Sequence, residues 1–339
     1  MSRELEERGD HCEMEAALRR LGLLEPHESA RWTPLLGGVS SELWRVDLPN
    51  RSLCLKRARA VLAVEAEWHA PVERSGYEVA WLEAAREIEP EAVPRVLGQL
   101  PEEHLFVMEY LAPSQYRVWK SELSAGRVDI PFAAEVGRLL GRLHAGFAGD
   151  AAMADRFATD DLFHSLRIAP YLLATAEAHP DLSDQIESLA ERTAKTRLTL
   201  IHGDVSPKNI LMGPKGPVLL DAECAWYGDP AFDVAFFGTH LLLKCHWVPA
   251  QRSEFLKCFE VFKSAHGRFV SWEAHADFDS RVATLLPALL LARVDGKSPV
   301  EYLGAEKRDR VRRVARRMLL APAQDLEGVL ELWQRSFAS

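Results

Sequence analysis

Cysteine is scarce and unpatterned. The chain of 339 residues has five (Cys12, Cys54, Cys224, Cys245 and Cys258), an odd number with no C-x-x-C pair. This excludes a disulfide framework and reads as reduced thiols, so a cytoplasmic chain is expected. Cys245 and His246 are adjacent and His240 is near, but a third ligand at zinc spacing is missing. Long apolar runs are absent as well. The most apolar stretch, VATLLPALLLA from Val282 to Ala292, falls far short of the roughly 20 residues a membrane span needs, and it contains Pro287. It reads as a core helix, and no membrane association is expected. The opening MSRELEERGD is charged and has no apolar segment of the kind a signal peptide carries. Positive charge is in deficit, with 41 Lys and Arg against 50 Asp and Glu and a net charge of −9, which argues against a nucleic-acid partner. Internal repeats and low-complexity tracts are absent.

The chain does have length and apolar content. With 47% hydrophobic residues over 339 positions, it can bury a large core, and the length suits two lobes better than one. Its most informative stretch runs from Leu200 to Asp221, LIHGDVSPKNILMGPKGPVLLD. Three short apolar runs (TLI, ILM and VLL) read as strand-like pieces that present Asp204, Asn209 and Asp221 near their ends. The spacing H-x-D-x-x-x-x-N matches the catalytic loop of protein-kinase-like enzymes, and an Asp closing the next hairpin matches their metal-binding Asp. The residue types suit phosphoryl transfer, in which positioning and charge stabilisation dominate. Asp204 is the catalytic candidate, placed to orient an attacking hydroxyl and take its proton. Asn209 and Asp221 offer the oxygen ligands that Mg2+ requires. Asp and Asn also favour turns on their own account, so it is the ordered set between apolar runs that carries the reading.

The segments HGDVSPKN and LLDAECAWYGDPAFD resemble the aminoglycoside phosphotransferase and choline kinase-like family, whose members share the protein-kinase fold. The resemblance covers roughly residues 35 to 240, and it is most specific in the catalytic loop. It implies that Asp233 braces that loop through its backbone. Glu223, two residues after Asp221, is near enough to approach the cation, but a structural role is favoured.

Upstream, Met14, Leu18, Leu21 and Leu24 fall at helical spacing within residues 11 to 24, which predicts an amphipathic helix ahead of the catalytic body. Two strand-like runs then flank Gly37-Gly38-Val39-Ser40-Ser41. A glycine-bearing turn of this kind brings backbone N–H groups close to phosphates. An ordinary hairpin fits the residues equally well, and the resemblance favours nucleotide contact by Gly37, Gly38, Ser40 and Ser41, with Ser41 standing where the family often has Asn. Lys56 lies on the following strand, SLCLKRA, where a kinase-like lobe places the lysine that reaches the α- and β-phosphates. Its carboxylate partner is expected from VERSGYEVAWLEAAREI. Glu78 fits the family pattern best, and Glu73 is the next choice. The runs RVLGQL and HLFVMEYL complete an expected five-stranded antiparallel sheet. The resemblance makes Met108-Glu109-Tyr110-Leu111 the inter-lobe hinge, with the backbone at Glu109 and Leu111 bonding adenine. From Pro131 the pattern is helical, with Gly137 and Gly141 permitting close packing and His144 read as a packed structural residue.

The fold class expected is α+β, a bilobal protein-kinase-like fold. Residues 1–110 form a nucleotide-binding N-lobe (antiparallel sheet plus helix), and residues 111–339 form a largely helical C-lobe that carries the catalytic and substrate sites. The expected function is transfer of the γ-phosphate of ATP, with Mg2+, to a hydroxyl of a small molecule. A protein acceptor fits less well, because an activation loop and an A-P-E motif are not evident after Asp221. Three alternatives stay open: an aminoglycoside or other antibiotic phosphotransferase, a choline or ethanolamine kinase using Trp247, Trp272 and Phe278 for cation–π contacts, and a nucleotide-binding regulator that has lost catalysis.

Overall fold

The computed structural model describes residues 2–35, 41–59 and 71–337, of which 2–10 are described by their backbone alone. The turn residues Gly37, Gly38 and Ser40 lie outside the described residues.

Strands β1 (Arg31–Pro34), β2 (Ser41–Asp47), β3 (Ser52–Ala58), β4 (Val96–Leu100) and β5 (Leu105–Glu109) form one antiparallel sheet in the order β1-β2-β3-β5-β4. Alternation along β3 assigns its two faces. Leu53 and Leu55 join Val46, Leu105 and Val107 under Met14, Ala17 and Leu18. Those last three belong to the helix Ser2–Arg20, which caps the outer face of the sheet. Cys54, with Phe106 and Met108 from β5, turns the other way into the main core. There it meets Val79, Trp81 and Leu82 of the helix Arg74–Ile88. Lys56 lies on that inner side, two residues beyond Cys54.

The remainder is mainly helical. Helix Ile130–Phe147 packs against helix Arg252–Gly267, and helix Pro230–Trp247 runs through the centre with every residue from Pro230 to His246 buried. An all-buried helix of this kind is a core element. Its start is fixed by Asp229, whose carboxylate accepts from the backbone N–H of Ala231 at 2.9 Å, with Pro230 at the first helical position. The apolar run around Pro287 lies in helix His275–Asp295. Among the described residues, no helix is long and apolar enough to cross a membrane.

One expectation changes. The N-terminal helix spans Ser2–Arg20 and stops before Leu21 and Leu24; Gly22, at φ +66°, follows its end, and Leu24 still packs into the same cluster. Of the three apolar runs around the catalytic loop, the second and third pair as the expected hairpin, and the first pairs elsewhere. Strand β6 (Arg117–Val118) pairs with β8 (Ile210–Gly213), which also pairs with β9 (Gly216–Leu219). Strand β7 (Thr199–Ile201) pairs with β10 (Trp226–Gly228). The chain between β7 and β8 is therefore a loop between two small sheets, and residues from both converge on it. A ten-residue π-helical stretch, His164–Leu173, contains Pro170 and delivers Arg167 and Tyr171 toward this loop. π-helical turns are rare and often mark functional positions.

Gly137 is where the helix pair closes. A Cβ there would stand 2.3 Å from the backbone oxygen of Phe262. Gly137→Ala is expected to lower stability by about 1–3 kcal/mol through overpacking, despite alanine's better helix propensity. Urea unfolding checks the sign: a gain in stability would show that the two helices are free to separate.

Candidate active site

The N-terminal sheet contributes Lys56, which is 4% exposed and lies between two carboxylates. Its ammonium donates to Glu78 Oε1 at 2.8 Å and to Asp221 Oδ1 at 2.6 Å. The family pattern favours Glu78, one turn before Leu82, and it is this carboxylate that meets Lys56. Burial is the largest influence on the Glu78 carboxyl and pushes it up to about 7, with Lys56 pulling the other way. For Asp221, burial is outweighed by Lys56 and Lys208, which hold the carboxyl well below the usual range. Asp221 also has a left-handed backbone, φ +67°, uncommon for a non-glycine residue and characteristic of constrained functional positions.

The catalytic loop is built around Gly203 and Asp233. Gly203 has φ +78°, and a Cβ there would lie 2.5 Å from the backbone oxygen of Cys224. Only glycine supplies both that angle and that approach. Asp233 is fully buried and accepts two backbone N–H groups, from His202 and from Gly203, each at 2.8 Å. This is the bracing contact that the family resemblance implied. His144 Nε2 lies 3.2 Å from Asp233 Oδ2, and its Nδ1 lies 3.0 Å from His266 Nε2, so a buried histidine pair stands behind the brace. The His202 ring bonds the Leu220 carbonyl through Nε2 at 3.1 Å and accepts from Asp204 N at Nδ1, 3.2 Å.

Asp204 emerges from this loop 5% exposed. One oxygen, Oδ2, is doubly held, by Arg167 Nη2 and Lys208 Nζ, each at 3.1 Å. Arg167 also donates to the Gly203 carbonyl at 2.5 Å and packs over the rings of Tyr171 and Phe236. Asp204 Oδ1 has no bonded partner among the described residues, so it is the oxygen left to face a reactant. Asn209 donates its amide nitrogen to the Asp204 carbonyl at 3.1 Å, which aims the amide oxygen away from that bond. That oxygen and the partly exposed carboxylate of Asp221 are hard donors suited to a small divalent cation. Among the described residues no three His, Cys, Asp or Glu side chains group closely enough to hold a metal on their own. A cation here would complete its shell with other oxygens, as Mg2+ commonly does with phosphate and water.

The remaining candidates are also located. Ser41 is buried at the start of β2, opposite Ala58. The Glu109 N–H is taken by the Arg95 carbonyl at 3.0 Å, and its side chain accepts from the Arg95 N–H at 2.9 Å, so any ligand contact there falls to its carbonyl. Leu111 has no backbone hydrogen bond from its N–H to a described residue. Glu223 pairs with the buried Arg74 at 3.0 Å, a structural tie between the Arg74–Ile88 helix and the segment after β9.

With this geometry in view, the comparisons with known proteins become specific. Residues 31–243 match the model of the phosphotransferase enzyme family known as APH. The chain belongs to this phosphotransferase family. Methylthioribose kinase of Escherichia coli O45:K1 is 26% identical over 230 residues, which is 58% of this chain and 54% of that protein. Methylthioribose kinase of Bacillus cereus is 24% identical over 234 residues, 61% of this chain and 58% of that protein. The chain thus aligns with little more than half the length of these curated relatives. Among solved structures, the amicoumacin kinase hAmiN, in complex with AMP-PNP, Ca2+ and Ami, superposes with a TM-score of 0.57 at 13% identity, covering 95% of this chain and 97% of the other. Choline kinase from Cryptosporidium parvum Iowa II gives 0.54 at 12%, covering 91% and 93%. These likenesses carry the fold, which is the bilobal protein-kinase-like fold.

Four features of this phosphotransferase-family site escaped sequence reading. Lys208 stands inside the motif itself, four residues after Asp204, where a helix-like turn brings i and i+4 together. Arg167 is a lone cation in the apolar run LFHSLRIAPYLL, a signal that a charge is buried on purpose. His266 and Arg74 carry no comparable mark, because their partners lie 122 and 149 residues away.

Burial sets a pH dependence on stability. It lowers the basicity of His202, His240 and His266, and takes His246 down to about 4. The unfolded chain protonates these groups near the ordinary histidine value of about 6.5 while the folded chain resists, so stability falls as pH drops through that value. Glu78, raised to about 7, works in the opposite sense but is outnumbered. The urea midpoint is expected to fall between pH 7.5 and pH 5, and His246→Phe should flatten part of that slope. An unchanged slope in the variant would remove His246 from this account.

Proposed function

We propose that the chain is an ATP- and Mg2+-dependent kinase that phosphorylates a hydroxyl of a small molecule. The observation that carries this reading is the meeting of Lys56, Glu78 and Asp221 within hydrogen-bond distance, across from Asp204 on its braced loop. Residues 1–110 hold the nucleotide, and residues 111–339 hold the catalytic loop and the acceptor. The AMP-PNP and Ca2+ in the amicoumacin kinase structure support an adenine nucleotide and a divalent cation. The hard oxygen donors of Asn209 and Asp221 support magnesium.

In this mechanism Lys56 binds nucleotide phosphates, and Glu78 holds it in place. Ser41, with the turn containing Gly37, Gly38 and Ser40, covers the phosphates. The Glu109 carbonyl and the Leu111 N–H bond the adenine edge. When bound, the magnesium ion held by Asn209 and Asp221 supplies positive charge to the phosphate oxygens. Asp204 orients the acceptor hydroxyl through Oδ1 and takes its proton. The acceptor oxygen bonds to the γ-phosphorus as the bond to the ADP oxygen breaks. The two cations on Oδ2 fix the orientation of Asp204, which suits a loose transition state, in which nucleophile positioning matters more than early deprotonation. Arg167 is a positioning residue, acting through Asp204.

Asp204→Asn is expected to reduce kcat by roughly 10²–10⁴ with nucleotide affinity retained. Turnover by the variant at close to the wild-type rate would deny Asp204 its role. Asp221→Ala should abolish metal-dependent nucleotide binding in calorimetry, and equal affinity in both proteins would take Asp221 out of the site.

Lys56→Ala and Glu78→Ala should be strongly non-additive in kcat/KM, because each acts through the other in a shielded cleft. A coupling above about 1 kcal/mol is expected for a pair in direct contact, and additive losses would separate the two residues functionally.

A further inference from the structure

Beyond Asp204 lies a group of side chains that phosphoryl transfer as described above does not use. The connection is continuous. Arg167, on Asp204, faces the Tyr171 ring, and the Tyr171 hydroxyl accepts from Arg293 Nη1 at 3.4 Å. Tyr171 packs on Phe236, and Phe236 packs edge-on against His240 at 5.0 Å. One turn further along the same helix is Lys244, which faces the rings of Trp247 and Tyr302, and Lys120 also faces the Tyr302 ring.

Several of these groups lack partners. Lys244 is 1% exposed, and its ammonium has only a 3.4 Å contact to the carbonyl of His240 in its own helix turn. The Tyr302 hydroxyl and Arg293 Nε are buried with no hydrogen-bond partner among the described residues. The His240 ring makes no hydrogen bond to a described residue. Burying an ammonium without a counter-charge is costly, and natural chains keep such groups where a ligand completes them. After burial, the cations Arg293, Lys244, Lys208 and Lys120 all depress His240. The carboxylates nearby are committed, Asp204 Oδ2 to Arg167 and Lys208, and Glu301 to Lys120 at 2.6 Å.

We propose that the acceptor is itself an anion, a small hydroxyl compound bearing a carboxylate or phosphate group that is held by His240, Arg293 and Lys244 while its hydroxyl meets Asp204. This rests on the kinase reading above and names its substrate class. His240 and Arg293 keep slight exposure, 7% and 9%, so they meet the anion first, with the Lys244 charge behind them. A cationic acceptor is disfavoured by the same residues. Trp247 is stacked on Tyr302 at 4.3 Å and already faces Lys244. Trp272 and Phe278 pack against His266 in the core instead of forming an open aromatic box.

Proton uptake should accompany binding. Burial first, then Lys120 and Arg293, lower Lys244 to about 7 against the smaller pull of Glu301 and Cys245. A bound anion favours the charged ammonium and raises that value. Affinity should therefore strengthen as pH falls toward about 7, by up to about tenfold per unit for one proton.

The test uses the full chain saturated with MgADP, so that the nucleotide-phosphate subsite is filled. Inorganic phosphate and, separately, malonate are titrated by calorimetry at constant ionic strength into wild type and Lys244→Met. Wild type should show saturable binding of at least one anion, and the preferred one distinguishes a phosphate from a carboxylate headgroup. Lys244→Met should bind it about 10- to 100-fold more weakly, the loss expected for a charge-assisted contact, with MgADP affinity unchanged. Its melting temperature should not fall, since an unpaired buried charge is replaced by an apolar chain of similar length. Absence of saturable anion binding, or equal binding by both proteins, overturns the proposal. Failure to bind MgADP at all overturns the kinase reading instead. In a second arm, a sugar acid, the matched neutral sugar and the matched amino sugar are compared by ADP release. Higher kcat/KM for the acid supports the proposal, and higher kcat/KM for the amino sugar overturns it.

Discussion

The ammonium of Lys56 is the point on which the structure turns. It is nearly closed to solvent and compensated by Glu78 on one side and Asp221 on the other. A buried charge of this kind is tolerable only if its partners are held in place. Three elements are therefore bound to one another: β3 of the N-terminal sheet, the helix Arg74–Ile88, and the segment after β9. Trp81 of that helix also packs edge-on against His202 at 4.8 Å, so the helix that positions Glu78 touches the catalytic loop directly.

The catalytic loop meets a different constraint. Its strands do not form a hairpin with each other, so the loop has little backbone pairing of its own. Asp233 supplies that pairing from the central helix, and His144 and His266 fix the orientation of Asp233. A glycine at position 203 allows the close approach to Cys224, and Arg167 ties the Gly203 carbonyl to the Asp204 carboxylate. The loop is thereby held by side chains rooted in buried helices, with Asp204 Oδ2 committed and Oδ1 unbonded among the described residues.

The central helix Pro230–Trp247 contributes charged side chains along its length. Its first turn braces the loop through Asp233, and its later turns carry His240 and Lys244 into a region of unbalanced positive charge. Family membership gives the fold but does not name the acceptor, and Lys244, Arg293 and Tyr302 lie beyond the matched residues 31–243. The curated relatives, methylthioribose kinases, align with little more than half their length. The charge of that region is a property of this chain's own side chains.

The sequence alone determined what is local. The spacing from His202 to Asn209, the apolar runs ending at Asp221 and the alternation along β3 depend on residues within one turn or one strand of each other, and period and spacing report them directly. Glu78 was legible through the family resemblance, whose pattern matches Glu78-Val79-Ala80-Trp81-Leu82. The pairing of β7 with β10, the His144–His266 pair behind Asp233, the grip of Arg167 on Asp204 and the gathering of Lys244, Arg293 and His240 were decided only by the tertiary structure. Each joins residues that lie far apart along the chain or on separate helices. Distance in sequence carries no information about such contacts, and only packing of the helices around the Pro230–Trp247 core brings these groups within each other's field.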